Sequence, residues 1–182
     1  MININDLYWL AGIIEGEGYM FLCRRSSKRN REMHNNFGAL SFATRIGVGN
    51  TDVGIIKKMS EIFIDLGIRF YYSLHNNKYP GAKQYICINV MSYKSCLKLL
   101  DAITEKMSNS QKKLQANEMI KYIKYRLSKV AKRNEKGAIK EYSSMEEYKN
   151  IDEVFAKKIH DLKTPSILPS TTKRVASTII SW

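Results

Sequence analysis

Two carboxylates close an apolar helical pattern near the start of the chain, Glu15 and Glu17 in Leu10-Ala11-Gly12-Ile13-Ile14-Glu15-Gly16-Glu17-Gly18. Carboxylate oxygens are the ligands that hard cations such as Mg²⁺ take. Their place at the end of a helix is electrostatically odd, because a helix C-terminus carries partial negative charge and favours cations. Something positive therefore belongs beside them. The three histidines (His34, His75, His160) and three cysteines (Cys23, Cys87, Cys96) are scattered without ligand spacing. That argues against a histidine or thiolate metal centre and for reduced thiols.

The elements that must position the acids follow from periodicity. Asn5 or Asp6 can cap the first helix, whose Leu7, Leu10, Ala11 and Ile14 recur at helical spacing. Gly12 and Gly16 each cost about 1 kcal/mol of helix propensity relative to alanine. Two glycines on one face let a second backbone approach closely. Tyr19–Ser26 alternates as a strand, with Tyr19, Phe21, Cys23 and Arg25 on one side. A polar, basic loop over Ser27–Asn36 (Lys28, Arg29, Arg31, His34) precedes a second strand, in which Leu40, Phe42, Thr44, Ile46 and Val48 alternate with Ser41, Ala43, Arg45 and Gly47. Asn50 and Asp52 stand where a helix with Ile55, Ile56, Met59, Ile62, Phe63 and Leu66 begins, and Gly67 ends it.

The pattern then repeats in kind. Ile68, Phe70, Tyr72 and Leu74 alternate with Arg69, Tyr71, Ser73 and His75, a turn occupies Asn76–Ala82, Gln84–Met91 returns, and Tyr93–Met107 is helical. A long helix over Ser108–Asn134 carries the apolar stripe Leu114, Met119, Ile120, Ile123 and Leu127. Another, over Ser144–Leu162, turns Met145, Tyr148, Ile151, Val154, Phe155 and Ile159 inward. Beyond it the chain reads as extended, then as a short helix or docked tail. The expectation is an α+β fold of order αββαββα with a four-stranded antiparallel sheet, a core domain over 1–134 and a helical extension over 135–182 packed on it. The sheet face away from the helices carries Arg25, Ser41, Arg45, Arg69, Tyr71, Ser73, His75 and Gln84, side chains that reach phosphates and base edges.

Charge selects the partner. Thirty Lys and Arg against 17 Asp and Glu leave a formal +13 in 182 residues, which favours a polyanion. A membrane-surface binder would show a basic amphipathic helix backed by Trp or Phe; here tyrosines alternate in strands. No apolar run approaches the ~20 residues that span a bilayer. Double-stranded DNA is the expected partner, with no membrane and no small-molecule substrate. Without a basic region and apolar core at the start, the expected location is intracellular, a prokaryotic cytoplasm or an organelle, and not secreted.

The stretch Leu10–Gly18 resembles the LAGLIDADG motif of the homing endonucleases. Leu10, Ala11, Gly12 and Gly18 match outright, Ile13 and Ile14 stand for its aliphatics, Glu15 and Glu17 for its acids, and Gly16 for its small residue. The resemblance covers roughly residues 6–130 and implies the same αββαββα order. Only one copy of the motif is visible, which in this family implies a homodimer whose motif helices cross through Ala11, Gly12, Ile14 and Gly16. It further implies a Mg²⁺ site, open also to Mn²⁺ or Ca²⁺, at Glu17 and Gly16, with Glu15 in a supporting place. Asn50 matches the polar residue that positions active-site water; a helix cap is its other reading. Lys112, in Lys112-Lys113-Leu114-Gln115-Ala116-Asn117, matches the basic residue opening the family's post-sheet helix, with Lys113 the alternative in another register. A second basic residue has no match because Gly54 stands near its position; whether Lys57 or Lys58 substitutes is open. The resemblance implies a site-specific double-strand DNA endonuclease of the intron-encoded type, acting on a long pseudo-palindromic site. An intron RNA maturase and a non-cleaving DNA-binding regulator are the alternatives on the same fold.

Overall fold

A computed structural model describes residues 2–25, 41–75, 84–108, 110–128 and 145–162. The loops expected over 27–36 and 76–82, the charged stretch after 134 and the tail beyond 162 lie outside the described residues. Helix α1 spans Ile4–Gly16 and is capped by Asn3, whose side chain accepts from the Asn5 backbone N–H at 3.0 Å. Neither Asn5 nor Asp6 is the cap. Asp6 sits in the first turn, where its carboxylate suits the positive helix end, and pairs with Lys58 at 3.2 Å.

Strand β1 (Gly18–Arg25) begins directly under the end of α1. A Cβ on Gly18 would lie 2.5 Å from the Ile14 carbonyl oxygen and 2.8 Å from its Cα, so no side chain fits there. Strand β2 (Ser41–Asn50) pairs antiparallel with β1 and delivers the chain to Asp52, which caps helix α2 (Val53–Asp65) by accepting from the Gly54 N–H at 2.7 Å. Gly67, at φ 58°, ends α2 as expected: its N–H reaches the Ile64 carbonyl and the Ile68 N–H the Phe63 carbonyl, both at 2.8 Å. These two bonds satisfy carbonyls that the helix leaves open, and a left-handed φ favours glycine.

Strand β3 is shorter than the alternation suggests. It runs Tyr71–His75, while the Arg69 N–H donates to Ser95 Oγ at 3.3 Å and Ile68 is buried in the core. Residues before Tyr71 are thus tied to a helix rather than to a strand. Strand β4 (Tyr85–Val90) follows, then α3 (Tyr93–Ile103), a 3₁₀ turn (Thr104–Lys106), α4 (Gln111–Ser128) and α5 (Met145–Asp161). The sheet is four-stranded and antiparallel throughout, in the order β1-β2-β4-β3.

One face of the sheet builds the core. Met20, Phe42, Ile46, Val48, Ile88 and Val90 meet Leu10 and Ile14 of α1, Ile56, Met59 and Phe63 of α2, and Leu99, Leu100 and Ile103 of α3. Two expected core residues stand in solvent instead: Leu114 is 53% and Val154 65% exposed. In α4 the buried positions are Gln115, Ala116, Glu118, Met119, Tyr122 and Ile123. Polar residues hold the inward positions that a search for apolar spacing passes over. Gln115 donates to the Ile159 carbonyl at 3.1 Å, and buried Asp152 of α5 meets Arg126 of α4 at 3.4 Å. Both are burials that hydrogen bonding makes tolerable.

Candidate nucleic-acid cleavage site and DNA-facing surface

Glu17 is the C-cap of α1, and its N–H closes the helix onto the Ile13 and Ile14 carbonyls. Asn50, the last residue of β2, donates from Nδ2 to Glu17 Oε2 and accepts the Asp52 N–H on Oδ1 at 2.8 Å. Asn50 is therefore not the helix cap: Asp52 caps α2, and Asn50 braces the turn before it while bonding the Glu17 carboxylate. Lys112, in the first turn of α4, donates from Nζ to the Gly18 carbonyl. Acid, amide and ammonium thus meet around Glu17 and Gly18, although they come from three elements distant in sequence. Lys113 points elsewhere, 3.5 Å from the Met107 carbonyl and 3.7 Å from Glu105. Lys58 is held by Asp6 and lies 4.5 Å over the Trp9 ring, and Lys57 is exposed on α2.

Glu15 does different work. It accepts from the Ser108 N–H at 3.0 Å, from Ser108 Oγ at 2.9 Å and from Ser110 Oγ. Burial alone would raise its pKa, but the bonds from Ser110 and Ser108, with Lys113 nearby, leave it below the usual glutamate value. Its carboxylate anchors the segment that starts α4, the helix carrying Lys112. The motif's glycines divide in the same way. Gly12 and Gly16 are exposed, and a Cβ on either would meet nothing within 4 Å. Ala11 and Ile14, expected at a seam between subunits, are 0% and 1% exposed inside the chain's own core. Helical phase puts them a quarter-turn or more from the glycines, whose exposed face continues through Tyr8 and Ile4.

The sheet face away from the helices is polar and aromatic. Directly paired residues share a face, so Phe21↔Arg45, Gly47↔Asn89 and Tyr71↔Asn89 place these side chains together. Arg45 donates from Nε to Asn89 Oδ1 at 3.0 Å and has Phe21 and Tyr71 ring centres each 6.0 Å from its guanidinium carbon. Ser73 bonds the Asn89 amide at 3.2 Å and His75 Nε2 at 3.1 Å, and His75 stacks on Tyr85. Tyr71 reaches Met91 Sδ at 2.6 Å. Arg69 and Gln84 are exposed but precede β3 and β4 rather than lying in them. The backbones of Arg25 and Ser41 pair across β1 and β2; their side chains lie outside the described residues.

Solved structures carry the same architecture. The homing endonuclease I-CvuI, in complex with the I-CreI target in the presence of 2 mM Mg with the DNA not cleaved, aligns at a TM-score of 0.59 and 14% identity over 92% of this chain and 89% of that one. I-CvuI with its own target in 2 mM Ca aligns at 0.58, also at 14% identity and over 92% and 89% of the two chains. The chain has the LAGLIDADG homing-endonuclease fold. The I-SmaMI LAGLIDADG homing endonuclease bound to cleaved DNA aligns at 0.51 and 14% identity over 71% of this chain but 38% of that one. No family model and no curated protein matches the sequence.

Within this LAGLIDADG fold, the Glu17 carboxylate itself presents oxygens, the type of ligand a hard divalent cation takes, beside the Asn50 amide and the Lys112 ammonium. Among the described residues no three His, Cys, Asp or Glu cluster as a metal site. At this site Glu17 is an exposed carboxylate oriented by the Asn50 amide. Asn89 was missed by sequence reasoning. It sits between Ile88 and Val90 in an apolar run, and the signal was available: it alternates with Tyr85 and Cys87 on the open face.

Proposed function

We propose that this protein is a divalent-metal-dependent, site-specific double-strand DNA endonuclease of the intron-homing type, acting as a homodimer. The observation that carries the reading is the meeting of Glu17, Asn50 and Lys112 around Gly18, beside a sheet face lined by Arg45 and tyrosines. The formal charge of +13 supports DNA as the partner, as do the DNA-bound neighbours of the same fold. A single motif copy with two exposed glycines supports the dimer, which would bring a second Glu17 to the first.

The geometry supports a division of labour. Glu17, with the Gly16 backbone beside it, would hold Mg²⁺, or Mn²⁺ or Ca²⁺, which when bound would supply positive charge for a scissile phosphate and a more acidic attacking water. Asn50, locked by the Asp52 N–H, keeps the Glu17 carboxylate in one orientation. Lys112 supplies positive charge where a phosphodiester oxygen gains negative charge. Glu15 keeps the start of α4, and with it Lys112, at a fixed distance from the motif. Arg45, Tyr71, Ser73 and His75, with Arg25, Ser41, Arg69 and Gln84 around them, would meet phosphates and base edges of the major groove.

The test uses duplex DNA carrying the uninterrupted insertion sequence of the chain's own host gene. Double-strand cleavage with Mg²⁺, abolished by EDTA, is the expected result. Retained binding of duplex or of intron RNA without any cleavage would overturn the nuclease reading in favour of a regulator or a maturase.

A further inference from the structure

Asn89 is fully buried, at 0% exposure, in the middle of the open sheet face, where Cys87 and Ala43 are also buried and Tyr19, Phe21, Arg45 and Ser73 are half-buried. It touches the other three strands: Tyr19 of β1 and Arg45 of β2 through Oδ1, and Ser73 of β3 through Nδ2. Gly47, its direct neighbour on β2, makes room for this. A Cβ there would lie 2.6 Å from the Tyr19 hydroxyl oxygen and 2.8 Å from Asn89 Oδ1.

The chemistry of the partners fixes which way every bond runs. A guanidinium has five N–H donors and no acceptor, so the atom facing Arg45 Nε must be the amide oxygen, and Nδ2 must face Ser73. Tyr19, meeting that same oxygen, must donate its hydroxyl hydrogen to it. Burial, with Cys87 reinforcing it and Arg45 opposing it, pushes the Tyr19 phenol up to about 12, so this hydrogen stays on at neutral pH. Two consequences reach the surface. With Nε engaged, Arg45 presents its terminal Nη1–Nη2 edge for a paired contact. With its hydrogen engaged, Tyr19 presents lone pairs only and is an acceptor.

We infer that Asn89 is a specificity-determining positioning residue: without touching DNA, it sets the donor and acceptor pattern of the reading surface, Arg45 as a terminal double donor suited to guanine O6 and N7 and Tyr19 as an acceptor for an exocyclic amine. The inference rests on the DNA-binding reading proposed above. It explains why an asparagine occupies an interior position of β4 where an apolar residue would pack at no polar cost.

The experiment is selection from a partly randomised duplex library by the full chain, wild type beside Asn89→Leu, Arg45→Ala and Tyr19→Phe, with thermal melts run on each. Asn89→Leu is expected to lose discrimination at the positions that Arg45→Ala and Tyr19→Phe lose it, by about 5- to 150-fold, the span for one paired base contact. Preference elsewhere in the site should be unchanged, which general loosening of the fold would not produce. If wild type enriches a site and Asn89→Leu enriches the same site with the same stringency, the inference is wrong. If wild type enriches nothing, the DNA-binding reading itself fails. Should Asn89→Leu not fold, Asn89→Asp keeps the acceptor for Arg45 and Tyr19 and loses the donor to Ser73. It should keep the preferences that Arg45→Ala and Tyr19→Phe lose, and a folded Asn89→Asp that loses them overturns the inference equally.

Discussion

Replacing Gly12 with alanine should strengthen the subunit and weaken the proposed dimer, two effects that rarely coincide in one methyl group. Gly12 lies inside α1, exposed, and a Cβ there meets nothing within 4 Å. Alanine therefore brings only the propensity difference, about 1 kcal/mol in favour of the helix. For a 182-residue chain that corresponds to a rise in melting temperature of about 2–4 °C per kcal/mol. In a two-fold dimer whose α1 helices cross at the glycines, the same methyl enters the seam twice by symmetry. Overpacking costs about 1–3 kcal/mol per site, hence at least about 2 kcal/mol per dimer and a roughly 30-fold weaker dissociation constant. Thermal melts at concentrations where the protein is monomeric, set beside sedimentation across a dilution series, read both effects. A stabilised monomer with an unchanged dimer constant would refute the seam. A destabilised monomer would show that the space around Gly12 is filled within the subunit.

Gly18→Ala should act in the opposite sense. Its Cβ would need about 0.9 Å of backbone movement to go from 2.5 Å to the 3.4 Å of ordinary contact with the Ile14 oxygen. That displacement moves Glu17 and the Gly18 carbonyl that Lys112 grips, so calorimetry should show a loss of about 1–3 kcal/mol and single-turnover cleavage a fall of about 10²-fold. Glu15→Gln keeps the shape of the anchor under α4 but removes its charge. Because the folded pKa of Glu15 lies below the ordinary 4.5, its contribution is present above that value and is lost as pH falls through the lower folded one. Denaturant titrations at pH 7 should show a loss of about 1 kcal/mol, held to the low end by partial exposure. The difference between the two proteins should shrink below pH 4.5; a constant difference down to pH 2 would contradict the role given to the carboxylate.

Much of the fold was legible because its cues are local. Alternation marked the two hairpins, Asp52 and Gly67 bracketed α2, and the nine residues of the motif placed α1. What misled was polar burial. Leu114 and Val154 satisfied an apolar spacing, yet Gln115 and Asp152 hold the inward places, because the Ile159 carbonyl and Arg126 provide partners that no periodicity reveals. The helix cap moved to Asn3 for a related reason: three residues able to cap, Asn3, Asn5 and Asp6, stand within four positions, and only backbone geometry separates them. At the site, Glu17, Asn50 and Lys112 were nameable from the motif and its spacings. The contacts of Glu15 were not, since they depend on Ser108 and Ser110, which come from far later in the chain. Asn89 was hidden by apolar neighbours on both sides.

Glu17 carries the proposed function most directly, as half of the proposed phosphodiester-cleaving site. Glu17→Gln keeps an oxygen for the Asn50 amide to bind and removes the charge that would hold a cation. Measured under single-turnover conditions with Mg²⁺ on a duplex that wild type cleaves, it should bind that DNA within a few-fold of wild type and cleave at least about 10²-fold more slowly. Cleavage by Glu17→Gln at the wild-type rate would contradict the account.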